Sequence, residues 1–171
     1  MIIKSGESIA IIGESGSGKS TLISLLAGLD TPSTGMIHLN GQSLTAMHED
    51  SRAKVRSALI GFVFQSYNLI PVLTAKENIE FIMLLQKRPK EETEKRVLEL
   101  LKQIGLEDKI NKRPKELSGG QQQRVAVARA LAPKPQFILA DEPTANLDSV
   151  SAENLLDIML KLNQEENMTL C

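Results

Sequence analysis

The residues best suited to chemistry lie in the glycine-rich segment 13–21, GESGSGKST. A glycine, four residues and then Gly-Lys-Ser form the phosphate-loop pattern, in which backbone N–H groups wrap a polyphosphate. The helix expected to follow adds the partial positive charge of its N-terminus. Lys19 is expected to reach the terminal phosphates, and the Ser20 hydroxyl to bind Mg²⁺. The residues of this loop predicted to bind phosphate are Gly13, Ser15, Gly16, Ser17, Gly18, Lys19, Ser20 and Thr21.

Adjacent carboxylates, Asp141 and Glu142, follow the apolar run 137–140, FILA. A buried strand there would deliver Asp141 at its carboxyl end, where open α/β sheets bind ligands. We expect Asp141 to hold Mg²⁺ through water, and Glu142 to polarise a water for attack on a γ-phosphate. On its own such a pair is more often a helix cap or a solvated loop, and the presence of the phosphate loop reverses that preference in favour of the catalytic interpretation.

A second possible anion site is the segment 117–121, LSGGQ. Ser-Gly-Gly at a helix start exposes unpaired N–H groups and a small hydroxyl, although an ordinary N-cap explains the same residues. It lies far along the chain from the first site.

Short apolar strands alternate with amphipathic helices, which predicts an α/β fold with a mainly parallel sheet, the P-loop NTPase type. The stretch between Gln65 and Gly119 offers helices and no strand, and indicates an inserted helical subdomain. Capping boxes are expected at Thr74 and Ser118. The predicted strands are 8–12, 36–39, 60–64 and 137–140, and the predicted helices are 19–28, 74–87, one ending at Gly105, one from 118 to Pro133, and 151–163.

Composition excludes several classes of protein. The 171 residues carry a net charge of −1, which gives no general attraction for nucleic acid. The apolar runs fall short of the ~18 residues of a spanning helix, and we expect a cytoplasmic chain. Cys171 is expected to be a small buried residue, and His38 and His48 to be surface residues rather than ligands.

The motifs together resemble the nucleotide-binding domain of ABC transporters over essentially the whole chain. GESGSGKST resembles that family's Walker A, LSGGQQQR its signature, and FILADEPTANLD its Walker B and D-loop, in the family's order. The resemblance implies ATP and Mg²⁺ as ligands, Glu142 and Lys19 as catalytic residues, and Asp148 in subunit communication. It also implies that Gln65, after the strand IGFVF, ligates Mg²⁺ with Ser20 and Asp141, assists catalysis and senses the membrane partner.

The resemblance further implies a head-to-tail dimer of two ATP-binding domains. The signature residues Ser118, Gly119, Gly120 and Gln121 would then bind the ATP of the partner domain. The segments 1–65 and 119–171 would form a RecA-like core, and 66–118 the helical subdomain. Transmembrane permease subunits would be the other partners, contacted through 66–79, with the chain peripheral on the inner face of the cell membrane. The motifs are most similar to the branch that exports lipoproteins, macrolides or antimicrobial peptides.

The sequence departs from the family pattern at both ends. An adenine-stacking aromatic residue is expected before the first strand, and a switch histidine after the strand MTLC, and neither is present. We therefore expect an incomplete domain that binds MgATP weakly and hydrolyses it poorly.

Other functions remain open at this point. A GTPase needs Asn-Lys-x-Asp, and the nearest match, NKRP at 111–114, lacks the aspartate. A small-molecule kinase is another P-loop class. A non-transport ABC ATPase of translation or DNA repair would bring tandem cassettes or a long coiled coil, and neither is visible. Co-purification with a membrane subunit, rather than with ribosomes or DNA, discriminates between these functions.

Overall fold

The computed structural model describes residues 2–171 of the chain. Within them, one three-stranded parallel sheet has the order β3-β4-β5, and a separate two-stranded hairpin joins β1 and β2. The helices are α1 Lys19–Leu26, α2 Glu49–Leu59, α3 Ala75–Leu85, α4 Lys90–Gln103, α5 Gly119–Leu131 and α6 Ser149–Glu166. The strands are β1 His38–Leu39, β2 Gln42–Ser43, β3 Ile60–Val63, β4 Phe137–Ala140 and β5 Thr169–Leu170. Short 3-10 helices occupy Glu107–Lys109 and Pro114–Glu116.

The central pair of the sheet is β3 and β4, which run parallel with Ile60 opposite Phe137 and Val63 opposite Ala140. Because parallel strands end at the same edge, the residues that follow β3 and β4 lie close together. Gln65 and Asp141 both come from that edge, and the backbone N–H of Asp141 donates to the carbonyl of Val63 at 3.0 Å.

Side chains of the sheet alternate between two apolar cores, because successive residues of a strand point to opposite faces of the sheet. Ile138 and Val63 belong to a core shared with helices α3 to α6. Leu139 and Ile60 belong to a smaller core that includes Ile23 of α1. The sheet thus lies between α1 on one face and the larger helical layer on the other, which confirms the predicted α/β class.

Both predicted capping boxes are confirmed. Thr74 accepts from the N–H of Glu77 at the start of α3, and Ser118 accepts from the N–H of Gln121 at the start of α5. The Asn40-Gly41 turn is also present, with φ of 50° and 75°, and joins β1 to β2. His38 and His48 are exposed and Cys171 is buried, as expected. Within residues 2–171 the longest helices lack the apolar length that a bilayer crossing requires.

Two expectations about secondary structure are wrong. The run 8–12 is not a buried strand, because Ile12 is 92% exposed and the run pairs with β5 through a single parallel bridge from Ser8 to Leu170. The ladder is short because β5 itself has two residues. The strand predicted at 36–39 is reduced to β1, and helix α2 was not expected.

Candidate functional site

The glycine-rich loop ends at the first residue of α1 and leaves the N-terminus of that helix open. Gly18 is the N-cap at φ 91°, a left-handed conformation that glycine adopts without strain, and no side chain among residues 2–171 caps the helix. At Gly13 a Cβ would lie 2.7 Å from the Ser17 hydroxyl, so the loop closes tightly on itself. The first-turn N–H groups are consequently available to an anion.

Lys19 folds back over this loop. Its Nζ donates to the carbonyls of Gly13 and Glu14, both at 3.0 Å, and lies 3.7 Å from Glu142 Oε1. The Glu142 side chain is 43% exposed, so this ion pair contributes little to stability. The pair matters for the geometry of the site, because it brings the Glu142 carboxylate beside the Lys19 ammonium at the mouth of the loop.

Ser20 and Asp141 are brought together from opposite ends of the chain. The Ser20 hydroxyl donates to Asp141 Oδ1 at 2.9 Å. Ser20 is in the first turn of α1, and Asp141 directly follows β4, so the helix start faces the carboxyl edge of the sheet. A hydroxyl and a carboxylate form the kind of oxygen donor set that suits Mg²⁺.

Gln65 lies on the other side of Glu142. Its Nε2 donates to Glu142 Oε2 at 3.4 Å, a long hydrogen bond. The carbonyl of Gln65 accepts from Asn146 Nδ2 at 3.1 Å, which ties the loop after β3 to the loop after β4. Lys19, Ser20, Gln65, Asp141 and Glu142 therefore form one cluster.

A cleft of about 250 Å³ opens beside this cluster. Lys19, Asp141 and Glu142 form its polar wall, and Ile11 and Met159 contribute to its apolar wall.

The signature residues lie apart from the cluster. Ser118 and Gln121 bond to each other at the start of α5. A Cβ on Gly119 would lie 3.0 Å from the Tyr67 hydroxyl oxygen, and one on Gly120 would lie 3.4 Å from Ser151 Oγ. No hydrogen bond found within residues 2–171 joins this segment to the glycine-rich loop.

Asp148 caps α6 next to the signature. Its carboxylate accepts from the Ser151 hydroxyl at 2.6 Å and from the Ser151 N–H at 3.0 Å, and these hydrogen bonds lower the pKa of Asp148 below its usual value. Asp148 is therefore the N-cap of α6, and its role in subunit communication remains a prediction.

Sequence reasoning missed three residues that hold the loops of the cluster. Asn146 reaches Gln65 as described, Gln123 Nε2 donates to the carbonyl of Pro143 at 2.7 Å, and Arg129 donates to the carbonyls of Tyr67 and Asn68. Each acts on a backbone carbonyl, and no side-chain pattern in the sequence marks such a partner.

A parallel α/β sheet with a glycine-rich loop, a helix start and two carboxylates at its carboxyl edge defines a P-loop nucleotide-binding protein. The family model described as ABC transporter matches residues 1–145, and the chain belongs to that family. It is accordingly an ATP-binding and ATP-hydrolysing domain, as the motifs predicted.

Relatives and solved structures agree with this assignment. The chain is 47% identical over 168 residues to the lipoprotein-releasing system ATP-binding protein LolD of Hydrogenovibrio crunogenus, covering 98% of this chain and 73% of LolD. It is 52% identical over 159 residues to an uncharacterized ABC transporter ATP-binding protein of Thermotoga maritima, covering 93% of this chain and 68% of the relative.

The dimeric ATP-binding cassette MJ0796 bound to ADP and Pi superposes with a TM-score of 0.90 at 46% identity, covering 99% of this chain and 75% of that chain. The chain thus spans roughly three quarters of the length of that protein and of LolD.

Proposed function

We propose that the chain hydrolyses MgATP at the cluster around the glycine-rich loop and thereby drives export through separate transmembrane permease subunits. The observation that carries the proposal is the position of the two carboxylates. Asp141 Oδ1 is 2.9 Å from the Ser20 hydroxyl, and Glu142 Oε1 is 3.7 Å from Lys19 Nζ. Both carboxylates would then lie beside the terminal phosphates of a nucleotide bound on the loop.

The reaction then follows from these residues. The loop residues Gly13, Ser15, Gly16, Ser17, Gly18 and Thr21 surround the phosphates, and Lys19 turns from the carbonyls of Gly13 and Glu14 to the β- and γ-phosphates. Glu142 accepts a proton from the water that attacks the γ-phosphorus, and the bond to the ADP oxygen breaks. Gln65, at 3.4 Å from Glu142, orients the same water.

Ser20, Asp141 and Gln65 offer a hydroxyl, a carboxylate and an amide oxygen, which fit a Mg²⁺ ion that keeps several waters and phosphate ligands. When bound, Mg²⁺ neutralises the charge on the β- and γ-phosphate oxygens. The hydrogen bond between Ser20 and Asp141 keeps these ligands together.

Two copies would work as a head-to-tail dimer, with Ser118, Gly119, Gly120 and Gln121 of one copy over the γ-phosphate of the other. The two glycines in the first turn of α5 and the dimeric state of the MJ0796 cassette support this proposal. The chain would divide into a RecA-like core, 1–65 with 119–171, and a helical subdomain, 66–118, whose segment 66–79 contacts the permease. Because ATP is supplied inside the cell, the chain would lie at the inner face of the membrane, and the name of LolD supports export.

Glu142→Gln tests the catalytic assignment. The amide has nearly the same shape but accepts no proton, so we expect kcat to fall by about 10²–10⁴ while ATP still binds. Steady-state phosphate release and nucleotide titration measure the two quantities. Glu153→Gln, at an exposed position of α6, is the matched control and should leave both unchanged. Hydrolysis by Glu142→Gln at the unmodified rate would refute the proposed role of Glu142.

A further inference from the structure

Gln123, in the second turn of α5, is fully buried, and its side chain contacts the loop that follows β4. Its side chain is 0% exposed, and its Nε2 donates to the carbonyl of Pro143 at 2.7 Å. Pro143 directly follows Glu142 in the chain. Gln123 is therefore bonded to the backbone of the residue next to the one that is proposed to activate water.

The backbone of Glu142 needs such support. Glu142 has φ 46°, a left-handed conformation that is unfavourable for a residue with a side chain. Strain of this kind persists where the surroundings fix both sides of the residue. On one side the N–H of Asp141 is fixed to the sheet at Val63, and on the other the carbonyl of Pro143 is fixed by Gln123.

The other half of the Gln123 amide is its acceptor oxygen. Its Oε1 is buried, and no hydrogen-bond donor within residues 2–171 reaches it. A buried acceptor without a donor destabilises the folded state, whereas methionine, of similar length, would fill the same space without a polar oxygen. Packing alone thus favours an apolar residue, and what glutamine adds is the donor to Pro143.

We propose that Gln123 is a positioning residue for Glu142. By fixing the Pro143 carbonyl, it keeps Glu142 left-handed and directs its carboxylate toward Lys19 and Gln65, which lie 3.7 Å and 3.4 Å from its oxygens. Gln123 does not itself reach the nucleotide. The inference rests on the proposed role of Glu142. It also means that α5, whose first turn is the signature, sets the geometry of its own chain's catalytic loop.

Gln123→Met in the full chain tests the proposal, with Gln103→Met as the matched control. Gln103 is an exposed residue at the end of α4, and its Nε2 donates to Glu165 of α6, away from the catalytic loop and the signature. We expect Gln123→Met to lower kcat about tenfold, with KM for ATP within about twofold and Tm unchanged or higher. Gln103→Met should keep kcat. A lower Tm and a higher KM together, or an unchanged kcat, would overturn the positioning role.

Combination with Glu142→Gln separates this inference from the proposed function. If Gln123 acts through Glu142, then Gln123→Met adds no further loss to Glu142→Gln in single-turnover measurements. An additive loss contradicts the inference while leaving the role of Glu142 intact. Full activity of Glu142→Gln would contradict both the catalytic role of Glu142 and the positioning role of Gln123.

Gln123→Glu covers the case in which the methionine variant does not fold. A neutral carboxyl group at this position can donate its O–H to the Pro143 carbonyl, and a carboxylate cannot. The kcat of Gln123→Glu relative to the unmodified chain should therefore rise as the pH is lowered. A flat ratio between the two proteins would contradict the proposal.

Discussion

At the scale of single residues, the contact between Ser20 and Asp141 makes a prediction about the metal ion. Ser20→Ala removes the hydroxyl that lies 2.9 Å from the Asp141 carboxylate, so one Mg²⁺ ligand is lost and Asp141 loses a hydrogen bond. We expect the Mg²⁺ concentration for half-maximal hydrolysis to rise about tenfold, equivalent to ~1.4 kcal/mol. A Mg²⁺ titration of the ATPase rate measures it.

Ser24→Ala, one turn further along α1, is the control and should leave the Mg²⁺ dependence unchanged. An equal shift for both variants would mean that the helix start, rather than the Ser20 hydroxyl, determines metal affinity.

Residues of the site differ in how far the sequence predicts them. Lys19, Ser20, Asp141 and Glu142 are predictable because each occupies a fixed offset in a motif whose chemistry requires its type. Gln123 was not predicted, since it is one of three consecutive glutamines and the sequence does not show which one is buried. That choice depends on the rotation of α5 against the sheet, which only packing sets.

At the scale of elements, the sequence predicted those helices whose apolar residues recur at helical spacing. Helix α5 carries apolar residues at helical spacing and a capping box, and its predicted start is confirmed. Helix α2 has no buried residue, so its sequence lacks the apolar stripe that would predict a helix. It is fixed by polar contacts instead: Arg56 donates to the Gly28 carbonyl at 2.7 Å, and Arg52 to the Thr31 hydroxyl at 2.9 Å. Such contacts leave no periodic signal.

Helix α5 also holds the turn that follows Gln65. Tyr67 and Asn68 have φ of 58° and 47°, and Arg129 donates to their carbonyls at 2.9 Å and 2.5 Å. Burial lowers the pKa of Arg129 below its usual value, yet a guanidinium stays charged in proteins. The planar group can reach two carbonyls at once, which a lysine ammonium does less well.

We therefore expect Arg129→Lys to loosen this turn. Chymotrypsin should cleave after Tyr67 several-fold faster, and kcat should fall about threefold because Gln65 is two residues away. Arg124→Lys is the control, since Arg124 is also in α5 but donates to the Ile104 carbonyl. Equal cleavage rates for the unmodified chain and Arg129→Lys would contradict the proposed clamp.

At the scale of the whole molecule, the layered architecture follows from the alternation of short apolar strands with amphipathic helices. The long-range polar contacts between layers do not follow from it. Arg96 of α4 and Glu166 at the end of α6 form an ion pair at 2.6 Å, although they are far apart in the chain. Nothing local to either residue identifies the other, and the pair exists because α4 and α6 pack around the same end of α5.

Arg96 joins three helices at that end. Besides the ion pair, its Nη2 donates to the carbonyl of Leu131, the last residue of α5, at 3.0 Å. Its side chain is 8% exposed and that of Glu166 is 16% exposed, so water replaces little of what is lost when one partner is removed.

We expect Arg96→Met to lower the free energy of unfolding by ~3–5 kcal/mol, because it leaves a shielded carboxylate and a helix-terminal carbonyl without partners. The corresponding decrease in Tm is roughly 10 °C for a chain of this length, measured by thermal unfolding. Lys112→Met breaks the pair with Glu116, whose side chains are 49% and 38% exposed, and should cost less than about 1 kcal/mol. Similar losses of stability for the two variants would show that the Arg96 contacts contribute no more than an exposed ion pair. The apolar core alone would then join α4, α5 and α6.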